Sequence, residues 1–267
     1  LKGLKFLIEI TSKTLDTDIK SINKAARKGI EEELIKRVSK ILDGSEININ
    51  NENKITWKNN PIARLKKGND YLSPEIEIIA DDSLNLDSKS KLTLFLNKWL
   101  NEYIKEVLGD LVKLTKHKIE NQYLRGLVFQ LYENNGVIKR SEVDKIVKSI
   151  PLEERKKLWG MGIKIGRYHI YLPKMLKPKA VEFRVSLWKI FHNLSDKNVI
   201  PQSGLNFLIN KNFEKNFLLL CGFEKFIEFF VRIDILEKLF IKIIDNTNDR
   251  KFKISTEMMN LLGCSKE

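Results

Sequence analysis

Between Ile119 and Pro173 the turn-forming residues mark out a recognisable order of elements. A helical pattern runs from Ile119 to Tyr132 and stops at "NNG", where Asn and Gly accept the left-handed backbone that ends a helix. Two apolar residues, Val137 and Ile138, precede a helix that reads as capped by Ser141 and runs to Ile150. Pro151 then opens a further short helix, "LEERKKLWG". The last piece, "GIKIGRYHIYLP", alternates on either side of Gly166 as a strand, a turn and a strand do.

Helix, short strand, helix, helix, hairpin is the order of a winged helix. In that fold the third helix and the hairpin, or wing, approach nucleic acid, and here they carry Arg155, Lys156, Lys157, Lys164 and Arg167. The competing reading is an α+β core whose turns happen to be basic. The net charge of +13 does not decide between them, because lysine outnumbers arginine by 38 to 10 and an AT-rich genome gives that bias without selection for binding. Its distribution is more informative. Ten basic residues and one acidic residue, Glu182, lie between Arg155 and Lys189, so +9 of the +13 sits in that segment. The segment adds Lys174, Lys177, Lys179 and His169 to the candidate nucleic-acid-binding set. His169 has no acidic or cysteine neighbour in sequence, which favours a structural or nucleic-acid-facing place over a catalytic one. Tyr168 and Tyr171 are candidates for stacking on bases, with core packing as the competing role.

Gly160, Gly162 and Gly166 raise the question of a phosphate-cradling loop. A dinucleotide loop needs G-x-G-x-x-G after a strand and before a helix, so that the helix N-terminus faces the pyrophosphate. The spacing here is G-x-G-x-x-x-G, with a helix before and a strand pattern after. These glycines are expected to end a helix and turn a hairpin. In the helix that Pro178 opens, Lys179, Glu182, Ser186, Lys189 and Asn193 form one narrow polar stripe. Arg184 lies off that stripe, which makes it either a buried, paired arginine or one reaching a phosphate, with the structural role favoured.

Residues 1–43 carry helical spacing, and Ile47, Ile49, Ile55, Trp57 and Ile62 to Leu65 outline a small β-element. Ser90 to Leu114 reads as a long amphipathic helix, preceded by a solvated Asp81–Asp82 pair. Near the C-terminus a helix, a short strand and a helix recur, with Ser255 as cap and Gly263 as turn. The expected fold class is therefore α+β, mainly helical, with small β-elements and one or two winged-helix-like units. The expected divisions are 1–118, 119–195 and 196–267. Leu1 in place of an initiator Met, and Ser265 poised to cap a further helix, suggest a fragment of a longer polypeptide.

No apolar run is long enough to span a bilayer and no signal peptide is evident, so a soluble protein without a membrane partner is expected. Two distant cysteines, Cys221 and Cys264, fit a reduced, cytoplasmic setting. The three histidines (His117, His169, His192) lack zinc-ligand spacing, and no GxxxxGK[ST], G-x-S-x-G or H-E-x-x-H motif occurs.

The segments "ITWKNNPIARLKKGNDYLSPEIEII", "GMGIKIGRYHIYLPKMLKPKAVEFRVSLW", "VRIDILEKL" and "MMNLLGCS" occur in that order. They resemble the region that follows the motor in a bacterial branch of superfamily II helicases, similar to the mitochondrial RNA-degradosome helicase. The resemblance runs from about Ile47 to the C-terminus and is strongest at the glycine-rich hairpin followed by "YLPKMLKPKAV". It implies an ATP-hydrolysing RNA or DNA helicase as the parent protein, with ATP and Mg²⁺ bound in motor domains upstream. None of the motor's motifs is present here, so no catalytic, cofactor or metal residue carries over. The expected function is an accessory nucleic-acid-binding region. The rival reading is a protein-interaction tail that recruits a partner such as a nuclease.

Overall fold

The computed structural model describes residues 19–44, 46–79, 84–194, 207–208, 215–226, 229–248 and 251–263. Over these residues the fold is α+β and mainly helical, with small antiparallel sheets, as the sequence led us to expect. The chain divides into two compact units, Leu1–Asn101 and Glu102–Glu267. The segments 119–195 and 196–267 both fall within the second.

In the first unit, helix α1 (Ile19–Leu42) leads to an antiparallel meander of β1 (Ile47–Ile49), β2 (Lys54–Trp57), β3 (Asn60–Asp70) and β4 (Ser73–Ile78). Ile47 pairs with Trp57 and Ile49 with Ile55, so the two alternating stretches meet in register. Strand β4, which contains Pro74, was not among the expected strands. It lies at the sheet edge, where a missing N–H is tolerated. Helix α2 (Leu86–Leu114) starts four residues before the expected Ser90, and the division between the units falls inside it. The Asp81–Asp82 pair and residues 1–18 lie outside the described residues.

The second unit contains the predicted series. It consists of α3 (Gln122–Glu133), β5 (Val137–Lys139), α4 (Arg140–Ser149), α5 (Leu152–Gly160), β6 (Lys164–Ile165) and β7 (His169–Tyr171). The strand order β5-β7-β6 puts the last strand between the other two, with Ile138 and Ile165 both opposite Ile170. This is winged-helix topology. Asn121 caps α3 by accepting from the N–H groups of Tyr123 and Leu124, each at 3.0 Å. The "NNG" turn has Asn135 and Gly136 at φ 55° and 84°. Helix α4 begins two residues earlier than a Ser141 cap implies. Lys139 stands at the cap position without a side-chain cap, and Ser141 sits inside the first turn.

After a 3₁₀ turn (Pro173–Leu176), α6 (Pro178–Phe191) buries Val181, Phe183, Val185 and Leu187. Arg184, 0% exposed, donates to the carbonyls of Asn135, Met175 (3.1 Å) and Leu220 (2.5 Å). It is the structural arginine of the two alternatives.

The chain continues through β8 (Phe207–Leu208), α7 (Lys215–Leu220), β9 (Phe223–Phe226), β10 (Phe229–Arg232), α8 (Ile233–Asp245), β11 (Thr247–Asn248), β12 (Lys251–Phe252) and α9 (Thr256–Leu262). Val181 and Val185 of α6 share a core cluster with Phe217, Leu218, Phe223 and Phe230. The second helix–strand–helix series is present as α8, β12 and α9, but β12 pairs with β11, and the described residues hold no wing for it. Ser255 caps α9 and Gly263 ends it at φ 65°.

Candidate nucleic-acid interface

The wing is short. Gly166 donates its N–H to the His169 carbonyl at 2.8 Å, leaving only Arg167 and Tyr168 at the tip. Two elements pin this turn. From α4, Arg140 donates through its guanidinium to the Gly166 carbonyl (2.9 Å) and through its backbone N–H to the Tyr168 carbonyl (2.8 Å). From α8, the Glu237 carboxylate accepts the backbone N–H groups of Arg167 (2.5 Å), Tyr168 (2.9 Å) and His169 (2.8 Å). Gly166 makes that approach possible, since a Cβ there would run into the Glu237 carboxyl. The glycine question is thereby answered: Gly162 (φ 81°) follows the end of α5, and Gly166 clears space for a carboxylate rather than a phosphate.

His169 takes the structural of its two expected places and leaves the nucleic-acid-binding set. Its ring is 2% exposed and lies between two carboxylates, with Nε2 3.0 Å from Glu224 and Nδ1 3.3 Å from Glu237. Glu224 also accepts from Lys139. Burial lowers the histidine's proton affinity, but the two carboxylate hydrogen bonds outweigh it and hold the pKa above the ordinary 6.5. Burial likewise raises both glutamates, and their donors bring each to a net value below 4.5. No group of three or more His, Cys, Asp or Glu residues among those described is placed to hold a metal ion. In this cluster the carboxylate oxygens are already taken by Lys139, His169 and the wing amides.

The other candidates separate into two groups. Arg155 donates to the carbonyls of Val147 and Ile150, both at 3.0 Å, so it joins α4 to α5. Lys156 pairs with Glu153 (3.1 Å), Lys157 with Glu154 (2.6 Å), Lys174 with Asp110 (3.1 Å) and Lys179 with Glu106 (3.3 Å). The pairs with Glu153, Glu154 and Glu106 are exposed and worth about 0–1 kcal/mol each, so a phosphate can compete for them, whereas Asp110 is buried and holds Lys174 in a part-buried pair. Lys164, Arg167 and Lys177 are exposed and have no carboxylate partner among the described residues. Lys164 lies 5.9 Å from the centre of the Tyr171 ring. Tyr171 is 1% exposed and belongs to the core, whereas Tyr168 is 47% exposed and packs against Phe240 at 3.9 Å.

Beside the wing lies a cleft of about 690 Å³. Its cations are Lys139, Arg140, Lys148 and Arg167, its carboxylates Asp144 and Glu224, and its rings Tyr168, Phe226 and Phe240. Apart from Arg167, Tyr168 and His169, these residues were not among the sequence candidates. Arg140 and Lys148 are masked there by Glu142 and Asp144, and the far wall comes from β9 and α8, more than fifty residues downstream.

Fold and site together define a basic α+β module built on a winged-helix unit. No family model, curated protein or solved structure matches the chain.

Proposed function

We propose that Glu102–Glu267 binds the backbone of RNA or DNA as the accessory region of a cytoplasmic ATP-dependent helicase. The motor would lie upstream in the same polypeptide. The observation that carries this reading is a pair of cations without carboxylate partners among the described residues, Lys164 and Arg167, on the hairpin of a winged-helix unit. Lysine and arginine on a wing neutralise phosphates without reading bases, so affinity falls steeply with salt. Among the described residues, no helix is long and apolar enough to cross a membrane.

The test is charge reversal. Lys164→Glu with Arg167→Glu is expected to weaken binding of RNA and DNA alike and to flatten the slope of log K against log salt by about 2. Fluorescence anisotropy from low to moderate salt reads both quantities. Unchanged affinity and slope mean that the wing is not the contact surface.

The rival reading has an observation of its own. Helix α5 leaves Leu152 and Trp159 73% and 76% exposed, one heptad apart on one face, beside lysines already paired within the helix. Large apolar side chains left in water favour a protein partner over a phosphate surface. If that reading holds, Trp159→Ala abolishes capture of a nuclease-resistant partner and leaves oligonucleotide affinity intact.

A further inference from the structure

We infer that the cleft beside the wing holds one unpaired nucleotide of a single strand, its base against the rings of Tyr168 and Phe226 and its phosphate among Arg140, Lys148 and Arg167. This inference rests on the nucleic-acid reading above and narrows it from backbone contact to single-strand capture.

Size, charge and surface agree. A cleft of about 690 Å³ falls in the range that encloses a nucleotide-sized ligand. Four cations face two carboxylates, and both carboxylates are shared. Asp144 lies 3.7 Å from Arg140 and 2.5 Å from Lys148, while Glu224 is engaged by Lys139 and His169. Among the described residues Arg167 is therefore left with no anion, and a phosphodiester supplies one. The Ser141 hydroxyl at the same rim is exposed and has no hydrogen-bond partner among the described residues.

Next to this charge, Tyr168 and Phe226 leave 47% and 41% of their surface in water, where an aromatic ring gains nothing. Stacked bases expose no ring face within a duplex, whereas a single strand does. Cations beside aromatic rings are the recurrent way to hold a strand irrespective of its sequence. The wing backbone is also held in place before any ligand arrives. Arg140 and Glu237 fix the wing backbone, and Phe240 backs the Tyr168 ring, so little ordering entropy remains to oppose binding.

The decisive comparison keeps the phosphates and removes the bases. The full chain is titrated with strands of about twelve nucleotides, a length within the usual site sizes: poly-U RNA, poly-T DNA, an abasic DNA strand and a blunt duplex. Both base-bearing strands are expected to bind about tenfold more tightly than the abasic strand or the duplex. Tyr168→Ala and Phe226→Ala, made singly, should each erase most of that advantage and leave the salt slope unchanged, while Arg167→Gln lowers the slope by about one. Because Tyr168 also packs on Phe240, Phe226→Ala guards against a folding defect, and the abasic comparison needs no variant. Competition by uridine monophosphate as strong as that of the strand would make the cleft a free-nucleotide site and overturn single-strand capture. If all four probes bind alike, the cleft inference falls and the backbone reading stands. If none binds, both fall.

Discussion

Replacing Arg184 by methionine is expected to destabilise Glu102–Glu267 by about 3–5 kcal/mol. The side chain is 0% exposed, and its guanidinium joins three segments by donating to Asn135 in the "NNG" turn, Met175 in the 3₁₀ turn and Leu220 at the end of α7. Methionine fills similar space but donates nothing, so three carbonyls stay buried with fewer partners, at about 1–3 kcal/mol each before relaxation. Arg184→Lys keeps the charge but not the planar fork, and an intermediate loss is expected. Urea unfolding followed through Trp188, which packs on the adjoining cluster, measures the effect. A variant of wild-type stability with weakened oligonucleotide binding would return Arg184 to the phosphate-binding role.

That arginine also marks how far the sequence can be read. Its departure from the polar stripe of α6 was legible because helical periodicity is local, but its three acceptors were not, since two of them lie 36 and 49 residues away. The winged-helix order was legible for the same local reason: Asn135–Gly136, Pro151 and Gly166 punctuate it regardless of what packs against it. Strand β4 was not read from the sequence, and the edge position that tolerates Pro74 in it is a property of the folded sheet. The basic segment illustrates a different limit. Counting from Arg155 leaves out Glu153 and Glu154, which lie three residues before Lys156 and Lys157 and take their charge. Those pairs were visible in the sequence. The partners of His169 were not, because Glu224 and Glu237 follow it by 55 and 68 residues, and without them the structural and nucleic-acid-facing places could not be told apart.

Removing the carboxylate that pins the wing should have an effect as large as that at Arg184, with a pH signature of its own. Glu237→Ala leaves the amides of Arg167, Tyr168 and His169 without their acceptor and His169 with one carboxylate in place of two. The expected loss is about 3–5 kcal/mol, since a buried charge is stripped of a partner. Because His169 titrates above 6.5 in the folded protein, its contribution is complete below that value and is lost as pH rises through the raised one. Glu224 and Glu237 titrate below 4.5, so their contributions are complete above that value and are lost as pH falls through the lowered ones. The cluster therefore stabilises the wild-type protein most between about pH 4.5 and 6.5, and the thermal midpoint should decline on the alkaline side as His169 loses its proton. Glu237→Gln preserves the shape but removes one of the two charges that raise His169, so its alkaline decline should be shallower and its midpoint lower at pH 6. Thermal melts of the three proteins from pH 5 to 9 provide the measurement. Parallel curves would mean that His169 is not coupled to Glu237 and that the wing is held by its backbone hydrogen bonds alone. A shallower curve for the glutamine variant identifies the histidine charge as coupled to Glu237, the carboxylate that accepts the Arg167 and Tyr168 amides.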